Sequence, residues 1–446
     1  MLECPHAKNE SVGTREIHVE DPHNQRGFGE EHVEGNSIMT TSVKGSTVAV
    51  NGRFVVGIDI GKQKHAAAAI TPQGEDVGPS ILFQNTKAGI NCLQKQILET
   101  LGKPEALIIA MEATGHYWMP LYFALTRRGY QIAVINPIQT RVKFRSRIRK
   151  AKNDKIDARS IARMTLSGDA KSARIPDEST LELRMLTRQR WRLIDMTSDL
   201  SRFAQTLVDR VFPEYAEIFS KPFLPSGRAL IQDIGLDPEV IVARAGEVDE
   251  LLKRCGRKKI QPEKIKFLIE QAENSIGIHR AEGVIVKQLQ STLNLMESVE
   301  TQVKEIDDEL KRRVQEMNSP VASLGIKEPL IATIHAESDP ITDFAHPWQY
   351  AAYAGLDPST YNSGNFIGSK NHISKRGSPF LRRALYLAAF ATYKRHTDLL
   401  RRYKKARKAG HSHNDALVIV AHKLARIIWR LITDNRPFKA RPPKRK

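Results

Sequence analysis

Four acidic residues occupy positions from which they could hold metal ions. Asp59 follows the apolar run FVVGI, Glu112 follows LIIAM, and Asp154 and Asp157 lie in KNDKIDARSIARM. A spacing of three places the last two on one face of a helix. Divalent cations need hard oxygen ligands, and a pair of ions supports both the attacking and leaving oxygens of phosphoryl transfer. The ordered set predicts metal-dependent chemistry on phosphate, although any one Asp is more often a helix cap or a surface residue.

Ser363 is one of five serines between residues 359 and 378 that could be considered as nucleophiles. A serine hydroxyl attacks poorly unless its proton is removed or the phosphate is activated, and a metal cluster can supply either. Gly364 would let the backbone approach a ligand closely, and the polar stretch 362–374 is typical of an exposed loop. Four other serines lie nearby: Ser359, Ser369, Ser374 and Ser378. A Ser-Gly pair is usually only a turn, so these residues alone leave the choice of serine open.

Two clusters of basic residues accompany these candidates. The first precedes Asp154 and contains Lys143, Arg145, Arg147 and Arg149. The second stands where a loop leads into a predicted helix and contains Lys375, Arg376, Arg382 and Arg383. Such side chains bind phosphates, and helix N-terminal amides can add to the contact. The alternative for each cluster is an ordinary solvated face.

The charge of the chain also favours a phosphate-bearing partner. The 446 residues carry a formal charge of +19, and 22 Lys or Arg but only three acidic residues fall between 366 and 446. The rest of the chain is close to neutral. Release of counterions rewards each contact with phosphate, so the clustered charge predicts a nucleic-acid-binding face.

Other classes of protein are disfavoured by composition. The three cysteines, Cys4, Cys92 and Cys255, have no CxxC spacing, which argues against a zinc site or a disulfide framework. No apolar run approaches the roughly 18 residues of a membrane span, and the first residues lack the features of a signal peptide. We therefore expect a soluble, cytoplasmic protein.

Strands and helices alternate in the first part of the chain, which predicts an α/β domain ending near residue 170. Residues 53–70 favour a buried hairpin, and 106–113 and 131–136 favour two further strands. Helical patterns occupy 86–101 and 119–129. These elements must place the candidate carboxylates.

Two heptad patterns follow. Leucines fall at strict sevens at Leu186, Leu193, Leu200 and Leu207, with Leu183, Ala204 and Val211 in the complementary register. A second pattern contains Leu289, Met296, Val299, Val303, Ile306 and Leu310. Such repeats predict two long helices forming a coiled coil with each other or with a second subunit, the alternative being helices packed on a globular core.

Several motifs together resemble a known family, the DEDD-type insertion-sequence transposases, which are bridge-RNA-guided recombinases. The matching motifs are GIDIGK, MEATGHYW, KNDKIDARSIA, AAYAGLDPSTYNSG and ISKRGSPFLRRALYLAA. The likeness covers residues 54–210 and 320–433. It implies that Asp59, Glu112, Asp154 and Asp157 form a RuvC-like, ribonuclease-H-type site for Mg²⁺ or Mn²⁺, and that Ser363 is the nucleophile.

The composition, the periodic patterns and the resemblance together predict a domain organisation. It comprises a flexible extension (1–52), an α/β RuvC-like domain (53–172), a coiled-coil region with a helical insertion (173–318), a mostly α-helical C-terminal transposase domain (319–434) and a basic tail (435–446).

The implied reaction is recombination between donor and target double-stranded DNA through a transient phosphoserine link. A structured guide RNA encoded by the element would pair with both DNAs, and the protein would act as a homo-oligomer, a dimer assembling to a tetramer on DNA, associated with the bacterial nucleoid. Two alternatives stay open. A metal-dependent nuclease or junction resolvase using water would need the carboxylates but not Ser363, and a non-enzymatic coiled-coil DNA-binding protein would need neither.

Overall fold

The structure, a computed structural model, describes residues 50–137, 140, 154–170, 172–173, 175–255, 260–278, 282–338, 340–359, 362–363, 366–367 and 372–439. Of residues 154–156, 282, 362–363 and 366–367 it describes the backbone. Almost all of the predicted N-terminal extension, the first basic cluster (Lys143, Arg145, Arg147 and Arg149) and residues 440–446 of the predicted tail lie outside the described residues.

A mixed six-stranded sheet forms the first part of the molecule. Its strands are β1 (Phe54–Asp59), β2 (Lys64–Ile70), β3 (Asp76–Gln84), β4 (Leu107–Glu112), β5 (Gln131–Ile135) and β6 (Ser172–Ala173), in the order β3-β2-β1-β4-β5-β6. Strand β1 pairs antiparallel with β2 and parallel with β4, which pairs parallel with β5. The predicted α/β domain, its hairpin and its two later strands are confirmed.

Helices cover both faces of this sheet. One face packs against α1 (Lys87–Leu93), which continues through a π-helical turn (Gln94–Leu98) into α2 (Glu99–Leu101), and against α3 (Trp118–Thr126). The other face packs against α4 (Asp154–Leu166). The sheet is therefore buried on both sides, which explains its near-continuous apolar strands.

Two long helices leave the sheet domain. Helices α5 (Glu178–Val211) and α11 (Glu282–Met317) pack against each other within one chain. Leu183, Ala204 and Val211 are buried, whereas Leu200 at a heptad position is half-buried. The predicted helices and their pairing are thus present, and supercoiling of the pair stays a prediction.

Short helices fill the connection between the long ones and close a second core against their far ends. They are α6 (Tyr215–Ile218), α7 (Pro225–Ala229), a π-helical turn (Leu230–Ile234), α8 (Pro238–Ala243), α9 (Ala245–Arg254) and α10 (Pro262–Glu273).

The C-terminal part is mostly helical, as predicted. Its elements are α12 (Glu328–Ser338), α13 (Pro347–Tyr353), the two-residue strands β7 (Asn362–Ser363) and β8 (Phe366–Ile367), α14 (Pro379–Thr392), α15 (Thr397–Lys408) and α16 (His413–Asp434). Leu183 of α5 and Leu310 of α11 belong to the same core as these helices. The long helices therefore carry hydrophobic cores at both ends.

Candidate active site

Asp59 and Glu112 end two neighbouring parallel strands. Ile58 of β1 pairs with Met111 of β4, so the next residue on each strand is a carboxylate. Strand alternation places Asp59 on the same face as Gly57 and Glu112 on the same face as Ala110. Gly57 and Ala110 are paired, so this is one face of the sheet, the face that α4 covers. Adjacent strands lie about 4.8 Å apart, so the two predicted ligands share one corner of the sheet.

Gly57 explains how close α4 comes to this corner. A Cβ added at Gly57 would lie 2.1 Å from the Ala158 carbonyl oxygen and 2.6 Å from the Ala162 amide nitrogen. No larger residue leaves room for this crossing. Asp157 directly precedes Ala158, so the contact brings the first turns of α4 to the strand that ends in Asp59.

The two late aspartates lie on the buried stripe of α4. Asp154 precedes Ala158 by four residues and Asp157 precedes Ile161 by four, and both of these apolar residues are fully buried. Positions four apart share a helix face, so the half-buried Asp157 faces the sheet, and the backbone of Asp154 occupies an earlier position of the same stripe. We call Asp59, Glu112, Asp154 and Asp157 the carboxylate edge.

Glu112 is held in place by two threonine hydroxyls. Thr114 Oγ1 donates to Glu112 Oε1 at 2.9 Å, and the fully buried Thr140 Oγ1 lies 2.8 Å from Glu112 Oε2. Thr140 Oγ1 is also 2.9 Å from the Pro137 carbonyl oxygen. The Thr140 hydroxyl has one proton for these two acceptors. It donates that proton to the Glu112 carboxylate, because hydrogen bonds to a charged group are stronger than those to a carbonyl.

Neither threonine is predicted from the sequence as a partner of Glu112. Thr114 lies two residues after Glu112 in the MEATG motif, so its proximity to Glu112 could be inferred from the sequence. Thr140 carries no local signal, because its contact with Glu112 depends on how the chain returns to the sheet after β5.

The donor set of the carboxylate edge fits a hard divalent cation. All four groups offer oxygen and none is His or Cys, which suits Mg²⁺ or Mn²⁺. Among the side chains that the structure describes, no three His, Cys, Asp or Glu residues already form a metal-holding group. The side chain of Asp154 lies outside that set, so the structure gathers the elements of the site without showing a finished cluster.

Ser363 belongs to a small hairpin in the C-terminal part, which we call the serine hairpin (357–374). Ser363 of β7 pairs with Phe366 of β8. At the base of the hairpin the Ser374 amide donates to the Asp357 carbonyl at 2.8 Å, and the Ser374 hydroxyl donates to the Asp357 carboxylate. Ile373 packs on the C-terminal core and so ties the hairpin to it.

Three of the neighbouring serines have structural partners. Ser359 Oγ donates to the His372 carbonyl at 2.8 Å, and Ser374 binds Asp357. Ser378 Oγ accepts the Leu381 amide and donates to Glu337 Oε2 at 2.8 Å. These hydroxyls stabilise the hairpin base and the start of α14.

The second basic cluster divides into two pairs. Lys375 and Arg376 are exposed beside the hairpin base, and Lys375 has a φ of +52°. Arg382 is half-buried and donates to the Ala354 carbonyl, and burial lowers the pKa of its guanidinium. Arg383 donates to both Asp195 oxygens, at 2.7 and 3.0 Å. Lys375 and Arg376 are therefore accessible to solvent, whereas Arg382 and Arg383 connect elements of the fold.

A buried ion pair connects α5 to this region. Arg188 Nε donates to Glu337 Oε1 at 2.7 Å and Arg188 Nη2 to Oε2 at 3.0 Å, and the Glu337 side chain is fully buried. Ser378 at the start of α14 completes the set. We call Arg188, Glu337 and Ser378 the buried network, and it fixes a long helix to the helix that follows the serine hairpin.

Two family models match the chain in regions that contain these sites. A model described as a transposase covers residues 56–213, and one described as the IS116/IS110/IS902 family of transposases covers 323–405. The chain belongs to this family of mobile-element transposases. The first match contains all four members of the carboxylate edge, and the second contains Ser363.

Full-length relatives agree with this membership. A protein of insertion element IS116 from Streptomyces clavuligerus is 24% identical over 88% of this chain and 97% of its own length. One of IS110 from Streptomyces coelicolor is 22% identical over 87% and 96%. A pilin gene-inverting protein from Moraxella lacunata is 21% identical over 86% and 98%. Among the described residues of this transposase, no helix is long and apolar enough to cross a membrane.

Proposed function

We propose that this transposase cuts and rejoins donor and target DNA through a covalent link to Ser363, assisted by divalent metal at the carboxylate edge and guided by a structured RNA of its own element. The observation that supports it best is the convergence of β1, β4 and α4, which brings four carboxylate-bearing positions to one corner of the sheet.

Asp59, Glu112, Asp154 and Asp157 would hold the metal. When bound, Mg²⁺ or Mn²⁺ would neutralise charge on a phosphate and favour displacement at phosphorus. Thr114 and Thr140 orient Glu112 by holding both of its oxygens. Because ligands fixed by outer hydrogen bonds lose little freedom on binding, this corner of the chain is prepared for a cation.

The serine step balances without a co-reactant. Ser363 Oγ loses its proton and forms an ester bond to phosphorus, and the bond from phosphorus to a DNA sugar oxygen breaks as that oxygen takes up a proton. Attack by a sugar hydroxyl of the other DNA reverses the step and frees the serine. The energy of the phosphodiester is retained in the link, so strands can be exchanged without a nucleotide cofactor.

Guidance by RNA is drawn from the family resemblance. Base pairing would select sequence, so the protein could bind backbone and shape, which agrees with a basic chain whose aromatic content is 7%. Sequencing RNA that co-purifies with the transposase tests this. Recovery of one abundant RNA encoded beside the gene supports guidance, and recovery of only a random cellular mixture contradicts it.

The covalent link is tested with Ser363→Ala. We expect wild-type protein to form a DNA adduct that survives denaturant and Ser363→Ala to form none, because alanine has no oxygen to bond phosphorus. Ser369→Ala is the matched control and should retain the adduct. An adduct that persists in Ser363→Ala would exclude this serine and favour a nuclease that uses water or another nucleophile.

The serine hairpin joins the C-terminal core through Ile373, whereas α4 covers the sheet in a separate core, so the two parts of the proposed site belong to different parts of the fold. We propose that the serine of one subunit meets the carboxylates of another within a homodimer that assembles further on DNA. Mixing Ser363→Ala with Asp154→Asn protein should then recover cleavage. Failure to recover it in co-expressed, co-purified mixed dimers would place both parts of the site in one chain.

A further inference from the structure

Helices α15 and α16 enclose a cleft with a volume of about 820 Å³ that contains none of the predicted site residues. Positive side chains line it from both helices and from the segment after α16. Six of them are Arg402, Lys405, Lys423, Arg426, Arg430 and Arg436. We call this feature the basic cleft.

The charge of the basic cleft is not neutralised by the fold. Arg402, Lys405, Arg426 and Arg430 are exposed, and none forms an ion pair with another residue in the part of the chain that the structure describes. Of the two lining acids, Asp398 is already paired with Arg401. Like charges gathered this way repel one another, so the cleft favours an anionic ligand.

The charges are spread along the cleft rather than aimed at one point. Lys423, Arg426 and Arg430 follow one side of α16, and the first and last lie about 10 Å apart along the helix axis. A DNA duplex presents about six phosphate charges over that length. This spacing suits a polyanion better than a single phosphate group.

The lining of the basic cleft favours a duplex over a single strand. Single strands are bound chiefly by aromatic side chains on which bases stack. Phe438 is the one Phe, Tyr or Trp among the described lining residues, and its ring packs against His396 at 4.9 Å. The cleft therefore offers cations for a backbone but no open stacking surface.

His422 relates the basic cleft to the serine hairpin. Burial lowers the pKa of this imidazole, the cations Arg426 and Arg402 lower it further, and Asp357 acts in the opposite direction. Asp357 forms the base of the serine hairpin through its contacts with Ser374. Pro347 at the start of α13 also lines the cleft, and the serine hairpin begins at Asp357, four residues after α13 ends, so the cleft and the hairpin base lie in the same part of the C-terminal core.

We propose that the basic cleft binds the phosphate backbone of the DNA duplex next to the phosphate attacked at the serine hairpin. This inference rests on the proposed function for the position of the attacked phosphate. The inference that the cleft binds a polyanion depends only on the charges that line it.

Surface substitutions test the cleft better than truncation does. Residues such as Leu385 of α14 and Leu424 of α16 are fully buried in the C-terminal core, so removing these helices would unfold it. The cleft variant is the triple substitution Arg402→Gln, Arg426→Gln and Arg430→Gln. The matched control removes three exposed charges that do not line the cleft, through Lys304→Gln, Lys404→Gln and Lys408→Gln.

Equilibrium binding is measured for a labelled DNA duplex and for an RNA hairpin of equal charge, at several salt concentrations and with chelator present so that no strand is cut. We expect the cleft variant to lose at least about tenfold in duplex affinity, with the slope of log affinity against log salt reduced by about 0.9 for each contact removed. The control should lose little. The charge-keeping triple Arg402→Lys, Arg426→Lys and Arg430→Lys should retain the slope, which separates loss of contacts from loss of folding.

An unchanged slope in the cleft variant, or equal losses in variant and control, would overturn the proposal and make the cleft a solvated face. Loss of RNA affinity with DNA affinity retained would overturn the assignment to DNA. Because binding is read without cleavage, these outcomes do not depend on whether Ser363 forms an adduct.

Discussion

The carboxylate edge stands on a six-stranded sheet buried on both faces, whereas Ser363 stands on a hairpin whose paired strands are two residues each. Around the edge, Gly57 lets a helix lie directly against a strand, and two hydroxyls hold Glu112. The hairpin is fixed mainly at its base, through Asp357 and Ser374. The proposed metal ligands are thus held in a rigid frame, whereas the proposed nucleophile is carried on a small element.

The largest effect is expected from Asp154→Asn, which keeps the size of the side chain and removes its charge. Strand cleavage should fall by roughly a thousandfold or more, because removing one member of a set of catalytic groups that act together abolishes most of the rate enhancement of the whole set. DNA binding should survive, and chelation should have the same effect as the substitution. Gel assays of cleavage and binding measure both quantities.

Asp76→Asn is the control for that prediction. Asp76 pairs with Arg159 and Arg163 on the exposed side of α4, so it is an acid next to the same helix but away from the carboxylate edge. Its cleavage rate should stay near wild type. Full cleavage by Asp154→Asn, or by wild type in chelator, would contradict a metal site at this edge.

The next effect concerns the buried network, which ties α5 to the region of the serine hairpin. Glu337→Gln leaves the Arg188 charge buried without its counterion, and we expect the free energy of unfolding to fall by about 3–5 kcal/mol. Asp199→Asn breaks the exposed Asp199–Arg202 pair on the same helix and should change it by less than about 0.5 kcal/mol. Denaturant titration gives both values, and similar values for the two variants would mean that the network is not the anchor of this region.

A smaller loss is expected from Gly57→Ala. The added methyl would collide with the backbone of α4, so α4 must shift, at a cost of about 1–3 kcal/mol in the free energy of unfolding. Because that shift moves Asp154 and Asp157, cleavage should fall more than stability alone explains. Gly246→Ala in α9 is the control, since nothing lies within 4 Å of its added Cβ. Wild-type cleavage in Gly57→Ala would show that the close crossing does not position the site.

Much of this arrangement was predictable because it is local. Apolar runs ending in Asp59 and Glu112 predicted strands, and the spacing of Asp154 and Asp157 predicted a shared helix face. Strand β3 was missed because it lies at the edge of the sheet, where its mixed burial and Pro79 are tolerated but give no strand pattern.

Contacts between distant parts of the chain were not predictable. Arg188 and Glu337 lie 149 residues apart in sequence, and neither shows by its neighbours that it is buried. The heptads predicted the two long helices but not which positions would be most buried, because each helix also contributes to a core at its end. Arg383 was predicted to bind phosphate, and its pairing with Asp195 could not be predicted because it depends on how α14 lies against α5.

The smallest effect is expected at Thr140, where the support of the carboxylate edge can be removed without touching a ligand. Thr140→Val keeps the shape of the buried side chain and deletes the hydroxyl that lies against Glu112 Oε2. Glu112 keeps its charge and its bond from Thr114, so the site should still form but bind its cation about 10–100-fold less tightly. Cleavage measured against Mg²⁺ concentration should therefore recover at high Mg²⁺.

Thr140→Ser restores the hydroxyl and should restore the affinity. Thr165→Val is the control, because Thr165 is equally buried but donates to the Ile161 carbonyl within α4. If Thr140→Val and Thr165→Val shift the Mg²⁺ dependence equally, or neither shifts it, Glu112 does not depend on its neighbours, and the contrast between a rigid edge and a lightly held hairpin fails at this residue.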